Sequence, residues 1–168
     1  MTDRPSEANL AASAARALDI CRAAGLRVTT AESCTGGLIV GALTEISGSS
    51  DVIGRGFVTY SNEAKMEMLG VSEPTLKAHG AVSEATVREM TAGALKAAGQ
   101  DADIAVAVSG VAGPGGGTPE KPVGTVWISI ERRGRPAAAE RHVFAGDRQT
   151  VRLKTVARAL ELIASAAG

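Results

Sequence analysis

The 168-residue sequence predicts an α/β fold in which a mixed sheet is covered by helices on both faces. Segments with apolar residues at helical spacing alternate along the chain with short apolar segments that are rich in β-branched residues. Near the end, two predicted strands follow one another through the turn-forming "RRGRP", which indicates an antiparallel hairpin and therefore a mixed sheet. The length fits one domain with a sizeable core.

The first half of the chain begins with a predicted helix. Leu10, Ala14, Leu18 and Cys21 recur at helical spacing, and Gly25 suits the end of that helix. The next segment, "LRVTTAE", is rich in β-branched residues, which is typical of a strand. The other elements predicted here are a helix at 36–48 that ends in the turn-forming "SGSSD", a strand at 53–61 and a short helix at 62–70.

The second half contains a clear helix and the strand with the most apolar sequence. Ser83 precedes the helix, whose apolar residues Val87, Met90 and Leu95 lie on one side. The strand, "DIAVAVSG", is almost continuously apolar, as expected for burial on both faces. The other predicted segments are a connection with one helical turn at 71–83, a glycine- and proline-rich loop at 111–122, strands at 123–131 and 138–145, and an amphipathic helix at 147–167.

Composition argues against several classes of partner. Basic and acidic residues both number 18, so the net charge is zero and does not favour binding to nucleic acid or to an anionic membrane. Aromatic residues make up only 2% of the chain, so few side chains could stack on the bases of a single strand. Cys21 and Cys34 show neither metal-ligand spacing nor a disulfide framework. No secretory or membrane-spanning segment is visible in the sequence. We therefore expect a cytoplasmic protein. We expect residues 1–8 to be disordered and residues 9–168 to form a single domain.

Four loops that follow predicted strands are rich in small, polar or chargeable residues. Their sequences are "ESCTGG", "TYSNEAK", "SGVAGPGGG" and "FAGDR". Ligands of open α/β sheets gather at the carboxyl ends of strands, so we expect these loops to meet at one sheet edge and form a site.

The loop "ESCTGG" offers adjacent nucleophiles in Ser33, Cys34 and Thr35. Free N–H groups at the start of the following helix can hold an oxyanion or a phosphate, and Gly36 and Gly37 allow a ligand to approach the backbone. Alternatively, Ser33 or Thr35 is an ordinary N-cap, and Cys34 is a small packing residue. The residues of this loop do not by themselves separate these possibilities.

A base for a serine nucleophile would have to come from a lysine. The two histidines, His79 and His142, lie outside the four loops, whereas Lys65 lies at a strand-to-helix junction. Burial or a nearby cation can lower the pKa of a lysine enough for it to act as a base, and Tyr60 could orient it or relay a proton. The alternative is that Lys65 is a solvated helix residue and that Ser61 caps the helix.

Arg148 is the candidate ligand for an anion. It lies in the first helical turn after Asp147, where its charge opposes the helix dipole and would suit an anionic ligand instead, although a plain surface arginine is the alternative. Arg152 and Lys154 are expected on a solvated face. The loop at 111–122 matches neither a P-loop nor a Rossmann fingerprint, and no metal-ligand cluster is visible.

Five motifs in order resemble the C-terminal domain family of the competence-damage protein CinA. They are "TTAESCTGGL", "GSSDVIGRGFVTYSNEAK", "HGAVSE", "SGVAGPGGGTPEKPVGTVW" and "GDR", and the resemblance extends from about residue 9 to residue 165. The resemblance implies a three-layer α/β/α sandwich with a mixed, mostly parallel sheet. The stand-alone members of the family are nicotinamide-nucleotide amidases.

The resemblance implies a serine amidase that converts nicotinamide mononucleotide into nicotinic acid mononucleotide and ammonia. The family's nucleophile maps to Ser33, its tyrosine to Tyr60, its lysine to Lys65 and its arginine to Arg148. No metal or organic cofactor is implied, the partner is a small-molecule substrate, and the family leans towards a homo-oligomer. The alternatives are a non-catalytic nucleotide-binding or scaffold module and an amidase for another small amide.

The mechanism that follows assigns substrate contacts to three loops. N–H groups of the turn at 34–37 would stabilise the oxyanion, and Arg148 with the loop at 109–117 would hold the phosphate and ribose, with the role of Gly115–Gly117 open. Burial and Arg148 would lower the pKa of Lys65. The expected substrate-binding residues are Cys34, Thr35, Gly36, Gly37, Ser109, Gly110, Gly113 and Arg148.

Overall fold

The computed structural model describes residues 3–168, in which helices and strands alternate. The strands are β1 (Val28–Glu32), β2 (Ile53–Val58), β3 (Ile104–Gly110), β4 (Thr125–Arg132) and β5 (Ala138–Val143). The helices are α1 (Glu7–Ala24), α2 (Leu38–Thr44), α3 (Asn62–Leu69), α4 (Glu73–His79), α5 (Glu84–Ala98) and α6 (Arg148–Ala167). Short 3₁₀ turns cover Ser49–Asp51 and Gly99–Asp101.

The strands form one mixed sheet in the order β2–β1–β3–β4–β5. Strand β1 pairs in parallel with β2 and β3, whereas β4 is antiparallel to both β3 and β5. Only β4 therefore runs in the reverse direction, which confirms the predicted mixed sheet and its hairpin. The carboxyl ends of β1, β2, β3 and β5 consequently lie at the same edge, where the four polar loops follow them.

Two apolar layers flank the sheet, and β3 contributes to both. Ile104, Val106 and Val108 belong to the core that β3 shares with α1, α2 and α6. Ala105 and Ala107 belong to the core on the opposite face, which is built mainly by α5 with residues of α3 and α4. The alternation of side chains along the strand thus produces the three-layer α/β/α sandwich. Its continuous apolar sequence correctly predicted burial on both faces.

The helix predicted at 36–48 is shorter in the structure, because α2 covers only Leu38–Thr44. Gly36 and Gly37 have positive φ angles of 59° and 98°, which are left-handed values outside a right-handed helix. They form a turn between β1 and α2 instead. This turn separates the end of the strand from the helix and leaves room for a polar constellation.

Two other segments contain more helix than the sequence predicted. The connection at 71–83 contains the seven-residue helix α4, whose N-cap Ser72 accepts a hydrogen bond from the Thr75 N–H. Helix α1 begins at Glu7 after its N-cap Ser6, so the last two residues of the segment expected to be disordered are helical. Met1 and Thr2 lie outside the described residues, and the domain boundary at residue 9 stays a prediction.

Among residues 3–168, no helix combines the length and apolar character that a membrane crossing requires.

The contact between α3 and α5 depends on Gly93. A Cβ atom added there would overlap the carbonyl oxygen of Leu69, which belongs to the backbone and cannot turn away. We expect Gly93→Ala to lower the free energy of unfolding by about 3 kcal/mol, because overpacked sites shift the backbone. Urea denaturation measures this loss. Gly41→Ala is the control, since Gly41 is also helical but has nothing within 4 Å of such a Cβ atom. Equal stability of the two variants would contradict the prediction.

Candidate active site

Ser33 and Lys65 are in direct contact at the carboxyl edge of the sheet. Ser33 follows β1 and Lys65 lies in the first half of α3, and Lys65 Nζ is 2.9 Å from Ser33 Oγ. Ser33 is 8% exposed and Lys65 is 1% exposed. The interpretation of Lys65 as a solvated helix residue is therefore wrong. The structure instead brings together the two side chains that a serine–lysine mechanism requires.

The remaining contacts of Lys65 are backbone carbonyls. Its Nζ lies 2.9 Å from Thr59 O and 3.5 Å from Ser61 O, and no carboxylate of residues 3–168 forms a salt bridge with it. A neutral amine has two N–H donors and one lone pair. These match two carbonyl acceptors and one serine hydroxyl, just as the three donors of an ammonium match all three oxygens, so the contacts fit both protonation states that a lysine base adopts in turn.

Burial lowers the pKa of Lys65, since it disfavours the charged ammonium. A negative charge on Cys34 would oppose this shift, but burial raises the pKa of the Cys34 thiol to about 12 and keeps it protonated. A protonated, 6% exposed thiol fits the packing interpretation of Cys34. The expected contribution of burial is confirmed, whereas Arg148 is not among the groups that shift this pKa.

Tyr60 and Arg148 form a second pair at the exposed rim. Arg148 donates to the Tyr60 hydroxyl at 3.1 Å and to Gly113 O at 2.9 Å, so it connects the ends of β2, the loop after β3 and the start of α6. Tyr60 is 63% exposed. Its hydroxyl forms no hydrogen bond with Ser33 or Lys65, so the structure does not support the predicted proton relay. The pair is instead placed to contact a ligand.

The turn that carries Ser33 is attached to the carboxylate of Glu32. Oε2 accepts from Thr35 Oγ1 at 2.5 Å, Gly37 N at 3.1 Å and Ile39 N at 3.0 Å, and Oε1 accepts from Val40 N at 2.8 Å. Glu32 and Thr35 are completely buried. The side chain of Thr35 therefore holds the turn and is not exposed to a substrate. The sequence analysis had instead expected Thr35 to bind the substrate.

This turn has fewer free N–H donors than the sequence analysis expected. Gly36 N donates to Ser33 O at 3.0 Å and Gly37 N donates to Glu32, so both amides of the glycine pair are occupied. The N–H groups of Cys34 and Thr35 have no acceptor on another residue within the part of the chain that the structure describes. Cys34 is 6% exposed whereas Thr35 is 0% exposed, so the amide of this turn that is available to an oxyanion is that of Cys34.

Arg152 is a site residue that the sequence analysis placed on a solvated face. Its guanidinium donates to Cys34 O at 3.1 Å and Thr35 O at 3.0 Å, across 118 and 117 residues of sequence. Its spacing from Arg148 was the available signal, because residues four apart lie on one face of a helix. For Glu32 the signal was a carboxylate that ends a strand directly before the nucleophile.

The loop after β3 contributes less side-chain surface than the sequence analysis expected. Ser109 is 1% exposed, and a Cβ atom at Gly110 would lie 2.8 Å from Thr125 O, so this glycine serves the packing of β3 against β4. Gly113 contacts the rim through its carbonyl group, which accepts from Arg148. Ser109, Gly110 and Gly113 thus support the site mainly through the backbone.

Neither histidine takes part in the dyad that Ser33 and Lys65 form. His142 Nε2 lies 2.7 Å from Glu140 Oε1, and its ring stacks on Phe144 at a centroid distance of 4.8 Å. His79 ends α4, and its carbonyl oxygen accepts from Lys121. Within residues 3–168, no group of three His, Cys, Asp or Glu side chains could hold a metal ion. Ser33 therefore has a lysine, and no imidazole, within hydrogen-bond distance.

Comparisons with known proteins identify the family of this chain. Residues 10–167 match the CinA C-terminal domain. The chain belongs to the CinA C-terminal domain family. The nicotinamide-nucleotide amidohydrolase PncC of Escherichia coli K12 is 55% identical over 142 residues, which cover 84% of this chain and 85% of that protein.

Longer relatives and solved structures share the same domain. A putative competence-damage inducible protein of Symbiobacterium thermophilum is 53% identical over 147 residues, which cover 83% of this chain but 34% of that protein. The crystal structure of the competence/damage inducible protein CihA from Agrobacterium tumefaciens superimposes with a TM-score of 0.90 at 47% identity and covers 98% of both chains. The predicted fold class is confirmed by this similarity and by the sheet topology.

The lowered pKa of Lys65 predicts a pH-dependent stability. Between the folded pKa and the ordinary value of about 10.4, the unfolded chain binds a proton that the folded chain does not. The free energy of unfolding therefore rises with pH in this window, by up to about 1.4 kcal/mol per pH unit. The rise should appear in the difference between the wild-type and Lys65→Met urea denaturation curves from about pH 6 to about pH 10. The difference is needed because burial raises the thiol pKa values of Cys21 and Cys34, which lowers the stability of both proteins above about pH 8.5.

The control for this titration is Lys77→Met on α4. Lys77 is exposed and pairs with Glu73, so its removal should leave the pH-dependent rise in place. If the wild-type and Lys65→Met curves ran parallel, a neutral Lys65 in the folded protein would be contradicted.

Proposed function

We propose that the protein is a serine amidase that hydrolyses the carboxamide of nicotinamide mononucleotide to nicotinic acid mononucleotide and ammonia. The observation that carries this proposal is the buried contact of 2.9 Å between Ser33 Oγ and Lys65 Nζ. The substrate is taken from the printed name of the E. coli relative, which is 55% identical. The assignment is consistent with a cationic rim next to the nucleophile, since the substrate carries a phosphate.

In the proposed acylation step, neutral Lys65 takes the hydroxyl proton of Ser33. Ser33 Oγ forms a bond to the carboxamide carbon, whose π electrons move to the carbonyl oxygen. The N–H group of Cys34 is the donor for this oxyanion, and one such donor contributes about 3–4 kcal/mol in other hydrolases. When the carbonyl re-forms, the C–N bond breaks and the nitrogen takes the proton from Lys65, so ammonia leaves.

Deacylation reverses the roles with water in place of ammonia. Lys65 is neutral again and takes a proton from the attacking water, whose oxygen bonds to the acyl carbon. The Ser33 ester bond then breaks, and Ser33 Oγ recovers the proton from Lys65. Between these transfers the ammonium is stabilised by the carbonyl oxygens of Thr59 and Ser61, which already face Nζ.

The rim pair is proposed to bind the remainder of the substrate. The guanidinium of Arg148 suits the phosphate through charge-assisted hydrogen bonds. The exposed ring of Tyr60 suits the positively charged pyridinium ring, since a cation is attracted to an aromatic face. A proton relay through Tyr60 would need a hydrogen bond between its hydroxyl and Lys65 or Ser33, and the hydroxyl bonds to Arg148 instead. Substrate binding is therefore the role we propose for this residue.

Two further features of the proposal concern the protein's surroundings. Cys21 and Cys34 are free and buried, which suits a reducing compartment, and we propose that the protein acts in the cytoplasm. We also propose a homo-oligomer, with Val58, Met68 and Val143 as exposed apolar side chains available for subunit contacts.

Ser33→Ala should abolish ammonia release from nicotinamide mononucleotide, because Ser33 supplies the only hydroxyl among residues 3–168 that is hydrogen-bonded to Lys65 Nζ. Ammonia release and the thermal unfolding midpoint are measured together. Ser129→Ala is the control, since Ser129 is another buried strand serine but contacts Thr91 on α5 and no residue of the dyad. Cys34→Ala should retain turnover. Persistent turnover in Ser33→Ala, or its loss only in Cys34→Ala, would contradict the proposed nucleophile.

Arg148→Ala should raise KM for nicotinamide mononucleotide about tenfold or more and change KM for the matched riboside much less. The reason is that only the mononucleotide carries a phosphate for the guanidinium to bind. Steady-state kinetics on both substrates measure the difference. Arg158→Ala is the control, because this arginine lies further along α6 and pairs with Glu140 and Glu161. Equal effects of Arg148→Ala on both substrates would show that Arg148 does not recognise the phosphate.

A further inference from the structure

Glu32 is a completely buried carboxylate that the proposed chemistry does not use. It precedes Ser33 directly, is 0% exposed and forms no salt bridge with any residue between 3 and 168. An isolated buried charge costs several kcal/mol unless hydrogen bonds replace its water. The presence of a buried carboxylate at this position therefore requires an explanation.

Every partner of the carboxylate is a donor from the segment that follows Ser33. The donors are Thr35 Oγ1, Gly37 N, Ile39 N and Val40 N, at distances between 2.5 and 3.1 Å. Two of these residues lie in the turn and two in the first turn of α2. One side chain thus connects the end of β1, the nucleophile turn and the following helix.

A second side chain holds the same turn from the other direction. Arg152 on α6 donates to Cys34 O and Thr35 O, while Glu32 accepts from one hydroxyl and three main-chain N–H groups. The Cys34 carbonyl shares a planar peptide unit with the Thr35 N–H, and the Thr35 carbonyl shares one with the Gly36 N–H, so Arg152 constrains these two N–H groups as well. The turn is fixed from both sides, and the amides of Cys34 and Thr35 stay free of acceptors on other residues.

We propose that Glu32 is a positioning residue for catalysis. Its carboxylate fixes the turn so that Ser33 Oγ meets Lys65 Nζ and the free amide of Cys34 faces the developing oxyanion. This inference rests on the proposed serine–lysine mechanism. Glu32 touches neither the substrate nor the reacting atoms and acts only through the turn.

The role requires a carboxylate and not merely a side chain of this size. A glutamine has one acceptor oxygen and an NH₂ group that only donates. In Glu32→Gln, the NH₂ group must face either Val40 N–H or the three donors now on Oε2, and both orientations oppose donor to donor. The substitution preserves volume and removes a charge, so its effect isolates the hydrogen-bond pattern from packing.

The first experiment compares wild type and Glu32→Gln in two assays. One assay is ammonia release from nicotinamide mononucleotide. The other is the rate at which phenylmethylsulfonyl fluoride labels Ser33, followed by intact mass, in which the Oγ–S bond forms, fluoride leaves and Lys65 takes the proton. We expect kcat and the labelling rate to fall about 100-fold, the effect of misplacing a catalytic group by about 1 Å, with KM changed less than about twofold.

A second pair of variants keeps the inference testable if Glu32→Gln does not fold. Thr35→Val removes one donor to Glu32 and preserves the shape of the side chain, and Thr35→Ser restores the hydroxyl. We expect Thr35→Val to lower kcat and the labelling rate about tenfold and Thr35→Ser to recover most of that loss. A merely structural role would not produce this rescue in kcat at constant KM.

Glu131→Gln is the matched control for the chemical change. Glu131 on β4 also accepts from a buried threonine, Thr91 Oγ1 at 3.1 Å, but contacts no residue of the turn. We expect its labelling rate and kcat to equal those of the wild type.

The outcomes separate the two hypotheses. If the wild-type protein is neither labelled at Ser33 nor active, the proposed serine mechanism fails, and the positioning role fails with it. If the wild type is labelled and folded Glu32→Gln is labelled equally fast, only the positioning role fails. Where Glu32→Gln is unfolded, a wild-type labelling rate in Thr35→Val has the same meaning.

Discussion

The Lys65 amine is buried against the end of the sheet and has no carboxylate partner among residues 3–168, and the rest of the site depends on this burial. A charged ammonium at 1% exposure would lose nearly all of its water, so burial lowers its pKa and favours the neutral amine. Such an amine is a base, and its N–H groups require acceptors. The carbonyl oxygens of Thr59 and Ser61 supply them, because the chain leaves β2 and enters α3 around the amine. Ser33 is the remaining contact, and it brings the hydroxyl that the lone pair can accept.

The sheet topology explains why this contact can form between residues 32 positions apart. Strands β1 and β2 are parallel neighbours, so the turn after β1 and the entry to α3 after β2 lie side by side at one edge. Strand β3 pairs with the other side of β1, and Ser33 N donates to Val108 O, which ties the nucleophile to the centre of the sheet. The position of Ser33 is therefore set by backbone hydrogen bonds on both sides of its turn. A dyad built on such a scaffold needs little reorganisation before reaction.

The sequence predicted the sheet, its hairpin and the convergence of four loops, because alternating helices and strands constrain where strand ends meet. It also separated Ser33 from Cys34 and Thr35, but only through the family resemblance, since all three residues suit a turn before a helix. The burial of Lys65 was not predictable from α3 alone, where the same residue could face water. Glu32 and Arg152 were missed for a related reason. Their partners are main-chain N–H and C=O groups, which leave no pattern of residue types in the sequence, and Arg152 reaches the turn across more than a hundred residues.

The site divides into a buried half and an exposed half, and in the function we propose this division separates chemistry from recognition. Ser33, Lys65 and Glu32 are shielded from water and contact main-chain groups. In the proposed mechanism, Ser33 and Lys65 act on the reacting carbonyl whatever is attached to it, and Glu32 acts only through the turn. Tyr60 and Arg148 lie at the rim, where a change of side chain disturbs no core packing. Substrate preference can therefore change through rim residues while the dyad stays intact. The bond that joins Arg148 to Gly113 O extends this rim to the loop after β3, so the length and sequence of that loop bear on which amide is bound and not on how it is cleaved.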